Sequence, residues 1–170
     1  GGMDLRSSEV EQYSNLMSES QYMVAADTLA SVNIPSVCRW LDVGGGKGTF
    51  VDELNKSYPK VDAAVFDLPG SHSANAEHTC IIGSFKEDEL PKGYDIISLI
   101  RILYDHRDQT IENLLAKAHG ALSKGGRLIV SEPMLGPDQP TLWGDVYFAM
   151  YTLAMSTGKT RSPEQISEFI

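Results

Sequence analysis

Leu41-Asp42-Val43-Gly44-Gly45-Gly46-Lys47-Gly48 decides the fold. A short apolar stretch runs into four glycines within five positions, and a helical pattern opens at Gly48 and continues to Ser57. Glycine tolerates tight backbone turns and lets a ligand approach the peptide groups closely, so strand, glycine turn and helix together form a nucleotide-type cradle. A dinucleotide site more typically spaces its glycines as GxGxxG, with the pyrophosphate on the helix N-terminus. Here the order is Asp-x-Gly-x-Gly-x-Gly, with the Asp42 carboxylate before the first glycine, where it suits a cationic or amine-bearing ligand. That favours S-adenosylmethionine over a pyrophosphate. A glycine-rich turn without a ligand is the plainer alternative, but so many glycines weaken local stability without other benefit.

Outward from this loop, short β-branched apolar segments alternate with longer segments of helical period. Strands are expected at Val37 to Val43, Asp62 to Phe66, Thr79 to Ile82, Tyr94 to Ile100 and Arg127 to Ser131. Helical patterns cover Gly48 to Ser57, a short piece near Ser71 to Glu77, Asp108 to Leu122 closed by Lys124-Gly125-Gly126, and Ser162 to Ile170. The alternation predicts an α/β class: a Rossmann-like, doubly wound parallel sheet flanked by helices. Gly1-Gly2-Met3 reads as an expression scar, residues 4–36 as a helical lead-in, and residues 37–170 as the ligand-binding domain. The last pattern stops without a cap, as expected of a domain truncated at its C-terminal side.

The bulk numbers narrow the functions. The 170 residues, 42% hydrophobic, suit one domain with one sizeable core. A net charge of −9 offers no basic face for nucleic acid. No apolar run approaches the roughly 18 residues that span a bilayer. Cys38 and Cys80 lack metal-ligand spacing and read as reduced core residues, which points to a cytoplasmic protein without a metal.

In such sheets the ligand crevice lies beyond the carboxyl ends of the strands, so those ends hold the candidate residues. Phe66-Asp67-Leu68-Pro69 ends the second strand with an acid able to accept both hydroxyls of a ribose. Gly83-Ser84-Phe85 follows the third with a hydroxyl and a ring suited to an adenine, or forms a plain solvent-edge turn. After the fourth comes a dense ionisable run from Arg101 to Asp108, in which Tyr104, Asp105 and His106 are catalytic candidates and Asp108 reads as a helix N-cap. Trp143, Tyr147, Phe148, Met150, Tyr151 and Met155 recur at helical spacing, either as core or as a wall for a long polyene or a macrocycle.

From about Ser18 onward the chain resembles the class I O-methyltransferases typified by plant caffeate and acetylserotonin methylating enzymes. The motifs that carry this are the glycine loop, Phe66 to Pro69, Tyr104 to His106, and Lys124 to Gly126 through Ser131 to Pro133, in the family's order and approximate spacing. Within the family, Ser98 to Asp108, Val130 to Met134 and Gly144 to Tyr151 look most like the bacterial hydroxyneurosporene and demethylspheroidene enzymes of carotenoid synthesis. The resemblance implies that Gly44, Gly45, Gly46 and Gly48 cradle the methionine portion of S-adenosylmethionine, that Asp67 binds its ribose, and that Ser84 and Phe85 flank its adenine. Asp42, Leu68 and Arg101 complete the expected cofactor site, and S-adenosylhomocysteine is the expected product. It further implies a hydrophobic small-molecule acceptor, together with an N-terminal dimerisation domain and a terminal β-hairpin beyond this chain, hence a full-length homodimer and a fragment that is weak or inactive alone. Two departures stand out: Ser84 replaces the usual plant Asp, and Tyr104 replaces the histidine that takes the acceptor's proton. A tyrosine of pKa about 10 is a poor base at neutral pH. The expectation is therefore that Tyr104 orients the acceptor, that His106 or Asp105 takes the proton, and that Glu132 orients Tyr104 or His106. C-methylation of a tetrapyrrole, a non-catalytic cofactor-binding module and a dinucleotide-binding domain are the competing expectations.

Overall fold

The computed structural model describes residues 20–71, 76–135, 152 and 158–170. A helix at 20–31 (α1) leads into β1 (Arg39–Val43), α2 (Thr49–Ser57), β2 (Asp62–Asp67), β3 (Thr79–Ile82), β4 (Tyr94–Ile100), α3 (Asp108–Ala121), β5 (Leu122–Ser131) and α4 (Pro163–Ser167). The five strands form one parallel sheet in the order β3-β2-β1-β4-β5. The chain starts at the centre, winds out to β3, and returns to the other side of β1. The order therefore reverses between β1 and β4, and a crevice opens beyond their carboxyl ends.

Strand alternation divides the core into two layers. Leu41 and Val43 of β1, with Phe66, Ile97 and Leu99, face α3, which answers with Ile111, Leu114, Leu115 and Ala118 at the spacing of one helical face. Trp40, Val65, Ile96 and Ile100 point the other way, against Ala25 and Leu29 of α1 and Phe50, Val51 and Leu54 of α2. Burying each of these larger side chains contributes roughly 1.5–3 kcal/mol, which makes the two layers the main source of stability.

The structure corrects several expectations. Val37 is 70% exposed and outside β1, which begins two residues later. The Lys124-Gly125-Gly126 run lies inside β5 instead of closing the preceding helix, because α3 stops at Ala121 and Leu122 already pairs with Tyr94. Between that pair and Ile96↔Arg127 the register shifts, and Gly125 at φ 81° absorbs the bulge. Asp108 is the first residue of α3 and no N-cap: Arg107 takes the cap position, and the Asp108 carboxylate meets Arg161 instead. The expected helix over Ser162 to Ile170 shrinks to Pro163–Ser167, started by a capping box in which Ser162 and Gln165 exchange hydrogen bonds. Cys80 lies on the edge strand β3 and is only half-buried, while Cys38 is buried just before β1; both are free. Most of the Ser71 to Glu77 helix and the whole Trp143 to Met155 aromatic series lie outside the described residues.

Candidate cofactor and catalytic site

The glycine loop has the conformation its sequence demands. Gly44 and Gly48 adopt φ of 74° and 85°, which favours glycine. A side chain at Gly44 would place its Cβ 2.4 Å from Ile102 Cδ1, and one at Gly48 would enter the His78 ring. The loop is stitched to β2: Gly44 N–H donates to the Phe66 carbonyl at 2.8 Å, and Gly46 N–H donates to Asp67 Oδ2 at 2.7 Å. Asp67 Oδ1 accepts from Leu68 N–H at 2.6 Å and from Ser71 Oγ at 3.3 Å. Asp67 thus stands at the end of β2 beside the glycine loop, with the half-exposed Leu68 next to it. The backbone of β3 joins the same rim, Gly83 N–H donating to the Asp67 carbonyl at 3.0 Å.

Asp42 sits deeper than its place in the motif suggests. Its carboxyl is 1% exposed beneath Gly45, where an added Cβ would come 2.3 Å from Oδ2. Oδ1 accepts from Ser98 Oγ at 2.6 Å, and Ser98 Oγ accepts from Trp40 Nε1 at 2.8 Å. Burial pushes the Asp42 pKa up to about 7, against the hydrogen bond from Ser98, and Asp67 adds to the rise. Asp42 is thereby shut off from the crevice, so the expectation that it grips a cationic ligand directly gives way to support of the loop from below. Within the described residues its Oδ2 has no hydrogen-bond partner.

At the end of β3, Ser84 N–H donates to Asp88 Oδ2 at 2.8 Å, and Lys117 Nζ of α3 donates to the carbonyls of Phe85 at 2.9 Å and Asp88 at 2.7 Å. The Phe85 ring meets the His106 ring edge-on, with centroids 5.3 Å apart, so the loops after β3 and β4 are in contact.

After β4 the chain turns at Arg101, the one non-glycine residue at positive φ (59°) among the described residues. Its guanidinium donates to Ser20 Oγ at 2.9 Å and to the Tyr104 hydroxyl, while Tyr104 in turn bonds Asp105. This places Arg101 between α1 and the Leu103–Asp105 3₁₀ turn. Tyr104 is buried, and burial pushes its phenol further above the ordinary tyrosine range. Burial raises Asp105 as well, whereas it lowers His106, with Lys86 and Arg161 adding to that effect. A half-buried imidazole held below its ordinary value is neutral at pH 7 and able to accept a proton.

Glu132, at the end of β5, does not reach the Tyr104 or His106 side chains by any described hydrogen bond. Oε1 accepts from Ile102 N–H at 2.6 Å and Leu103 N–H at 2.7 Å, and Oε2 accepts from Tyr104 N–H at 3.4 Å. It caps the 3₁₀ turn through the backbone. Burial raises its pKa to about 7 despite these three donors.

Sequence reasoning missed three residues. Ser98 is signalled by being the one hydroxyl in the otherwise apolar Ile96 to Ile100 run. His78, buried against Gly48 with Nδ1 2.9 Å from Asp52 Oδ1, and Arg161 have no local sequence signal, since apart from Lys159 the partners of their side chains lie 26 to 58 residues away. Among the described residues, no group of three or more His, Cys, Asp or Glu is placed to hold a metal ion, and no helix is long and apolar enough to cross a membrane.

Comparison with known proteins agrees with this arrangement. Demethylspheroidene O-methyltransferase of Rhodobacter capsulatus is 48% identical over 164 residues, covering 94% of this chain and 42% of that protein. The enzyme of the same name from Cereibacter sphaeroides is 43% identical, covering 94% and 45%. The structure of human N-acetylserotonin methyltransferase in complex with SAM superposes with a TM-score of 0.81 at 26% identity, covering 93% of this chain and 48% of that one. The chain thus spans less than half the length of the curated relatives it matches. The O-methyltransferase domain family matches residues 3–170, and with the parallel sheet, its reversal at β1 and β4 and the glycine cradle in place, this chain belongs to that family.

Proposed function

We propose that the protein carrying this chain transfers the methyl group of S-adenosylmethionine to a hydroxyl of a hydrophobic small molecule, a hydroxylated carotenoid. The 48% identity to demethylspheroidene O-methyltransferase across nearly the whole chain carries the reading. The residues fit the cofactor: the loop admits no Cβ at Gly44 or Gly48, and an acid stands beside it at the end of the next strand. When bound, S-adenosylmethionine supplies an electrophilic methyl on a sulfonium.

Gly44, Gly45, Gly46 and Gly48 offer close backbone approach, Asp67 exchanges its local bonds for the ribose hydroxyls, and Leu68, Ser84 and Phe85 border the adenine. Asp42, held by Ser98, supports the loop from beneath. Methyl transfer to oxygen depends mainly on holding the acceptor in line and excluding water. The turn at Tyr104 to His106 faces that task. Tyr104, with its raised pKa, orients the acceptor through its hydroxyl, and the neutral His106 takes the hydroxyl proton as the C–O bond forms. Asp105 holds Tyr104, and Glu132 fixes the turn.

The test is transfer by the complete gene product from methyl-labelled S-adenosylmethionine to a hydroxylated carotenoid, with the product read by mass. A methyl ether supports the proposal, whereas binding of the cofactor without transfer to any hydroxylated polyene refutes it.

A further inference from the structure

The Leu103–Asp105 turn and the residues after it are gripped from two sides, by a carboxyl and by a guanidinium. From β5, Glu132 accepts the amide protons that enter the turn. From the other side Arg161, 3% exposed, donates through all five guanidinium N–H positions. Nη1 reaches the Leu103 carbonyl at 3.2 Å and the Lys159 carbonyl at 2.8 Å, Nη2 reaches the His106 carbonyl at 2.9 Å, and Nε and Nη2 both reach Asp108 Oδ1, at 3.0 and 2.5 Å. Tyr104 is caught between: its amide faces Glu132, and its carbonyl accepts from Lys159 N–H at 2.8 Å. Arg161 is anchored in turn by its own backbone, which bridges Met134 and accepts from Leu135 N–H at 3.0 Å, just beyond Glu132.

We propose that Arg161 is a positioning residue for methyl transfer, which with Glu132 forms a two-sided backbone clamp setting where Tyr104 and His106 stand relative to the acceptor. The proposal rests on the transfer reading above. Buried guanidinium bonds to three carbonyls serve no charge balance that Asp108 does not already supply; what they fix is the path of the chain from Leu103 to His106. A lysine at 161 keeps the charge but has a single nitrogen in place of the planar fork, so it cannot span these acceptors together.

The test compares Arg161→Lys, Arg161→Leu and Asp108→Ala in the complete gene product by three readouts: S-adenosylhomocysteine affinity, kcat and KM for transfer, and amide hydrogen exchange of the peptide covering 101–108. Misplacement of the reacting groups by about 1 Å costs on the order of 100-fold. The expected result for Arg161→Lys is kcat lower by about 10- to 100-fold, product affinity within about threefold, and faster exchange confined to 101–108. Asp108→Ala, which leaves the carbonyl bonds, should lose less, and Arg161→Leu at least as much as Arg161→Lys. Unchanged exchange and kcat in Arg161→Lys overturns the clamp, and so does a loss of affinity matching the loss of kcat. Unsubstituted protein that binds product but transfers no methyl overturns the transfer reading instead, while the exchange comparison still decides whether Arg161 holds the turn.

Discussion

Replacing Ser98 by Ala probes the support beneath the glycine loop. The Ser98 hydroxyl accepts from Trp40 Nε1 and donates to Asp42 Oδ1, and all three residues are at most 1% exposed. Removing it strands a buried indole N–H and deprives a buried carboxyl of its donor, at about 1–3 kcal/mol for each unsatisfied group. The loss should depend on pH, because the bond favours the ionised form of Asp42, whose pKa is about 7. The expected cost is about 2 kcal/mol at pH 6 and about 3 kcal/mol at pH 8, the difference being limited to about 1.4 kcal/mol by the titration of a single group across that window. With a urea slope near 2 kcal/mol per M, the unfolding midpoint should fall by about 1 M at pH 6 and about 1.5 M at pH 8. A double-mutant cycle with Trp40→Phe adds a second constraint: once Ser98 is gone, losing the indole N–H should cost about 1–3 kcal/mol less than in the unsubstituted chain. A midpoint shift below about 0.3 M at pH 8, or additive single and double variants, would refute the relay.

Two further predictions concern titration and catalysis. Asp42 and Glu132 are both raised by burial to about 7 from ordinary values of 3.8 and 4.5, so the folded chain holds protons that the unfolded chain releases. Their contribution to stability is complete below about pH 4 and lost as pH rises through 7, with a slope approaching 1.4 kcal/mol per pH unit for each group. Thermal unfolding should therefore show Tm falling between about pH 5 and 7 and levelling above, with Asp42→Asn and Glu132→Gln each flattening the fall; a Tm that climbs from about pH 5 to 7 contradicts the burial argument. In transfer assays, His106→Ala should lower kcat by about 100-fold or more and abolish the acidic limb of the pH profile, while Tyr104→Phe costs about tenfold. Unchanged turnover in both removes the turn from the proton-transfer step.

Much of the fold was legible because each layer leaves a local mark. The four residues Thr79 to Ile82 and the seven from Tyr94 to Ile100 were read at their observed bounds, since short β-branched runs flanked by polar residues have few other uses. The glycine loop was legible because positive φ and close approach restrict the choice of residue. The bulge in β5 was not: Lys-Gly-Gly after a helical run is the ordinary sign of a helix stop, and only pairing with β4 reveals a strand there. Asp108 followed the same rule, its capping propensity overridden by a guanidinium 53 residues away. In the site, positions at strand ends were readable from the topology, but what each carboxyl touches was not. Asp42 reads as a group open to a ligand and Glu132 as a partner of the Tyr104 or His106 side chain, and both are buried, one on a serine and the other on backbone amides. A carboxyl's partners depend on which chain segments surround it, and that information is not local.

The most direct test of the central claim, that Asp67 and the glycine loop form an S-adenosylmethionine cradle, is calorimetric titration of the complete gene product with S-adenosylhomocysteine beside an Asp67→Ala control. The account predicts saturable binding to the unsubstituted protein and an affinity at least about tenfold weaker in the control, the loss of a charge-assisted hydrogen bond of about 1.5–3 kcal/mol. Equal affinity in both, or no binding by folded protein, would contradict it.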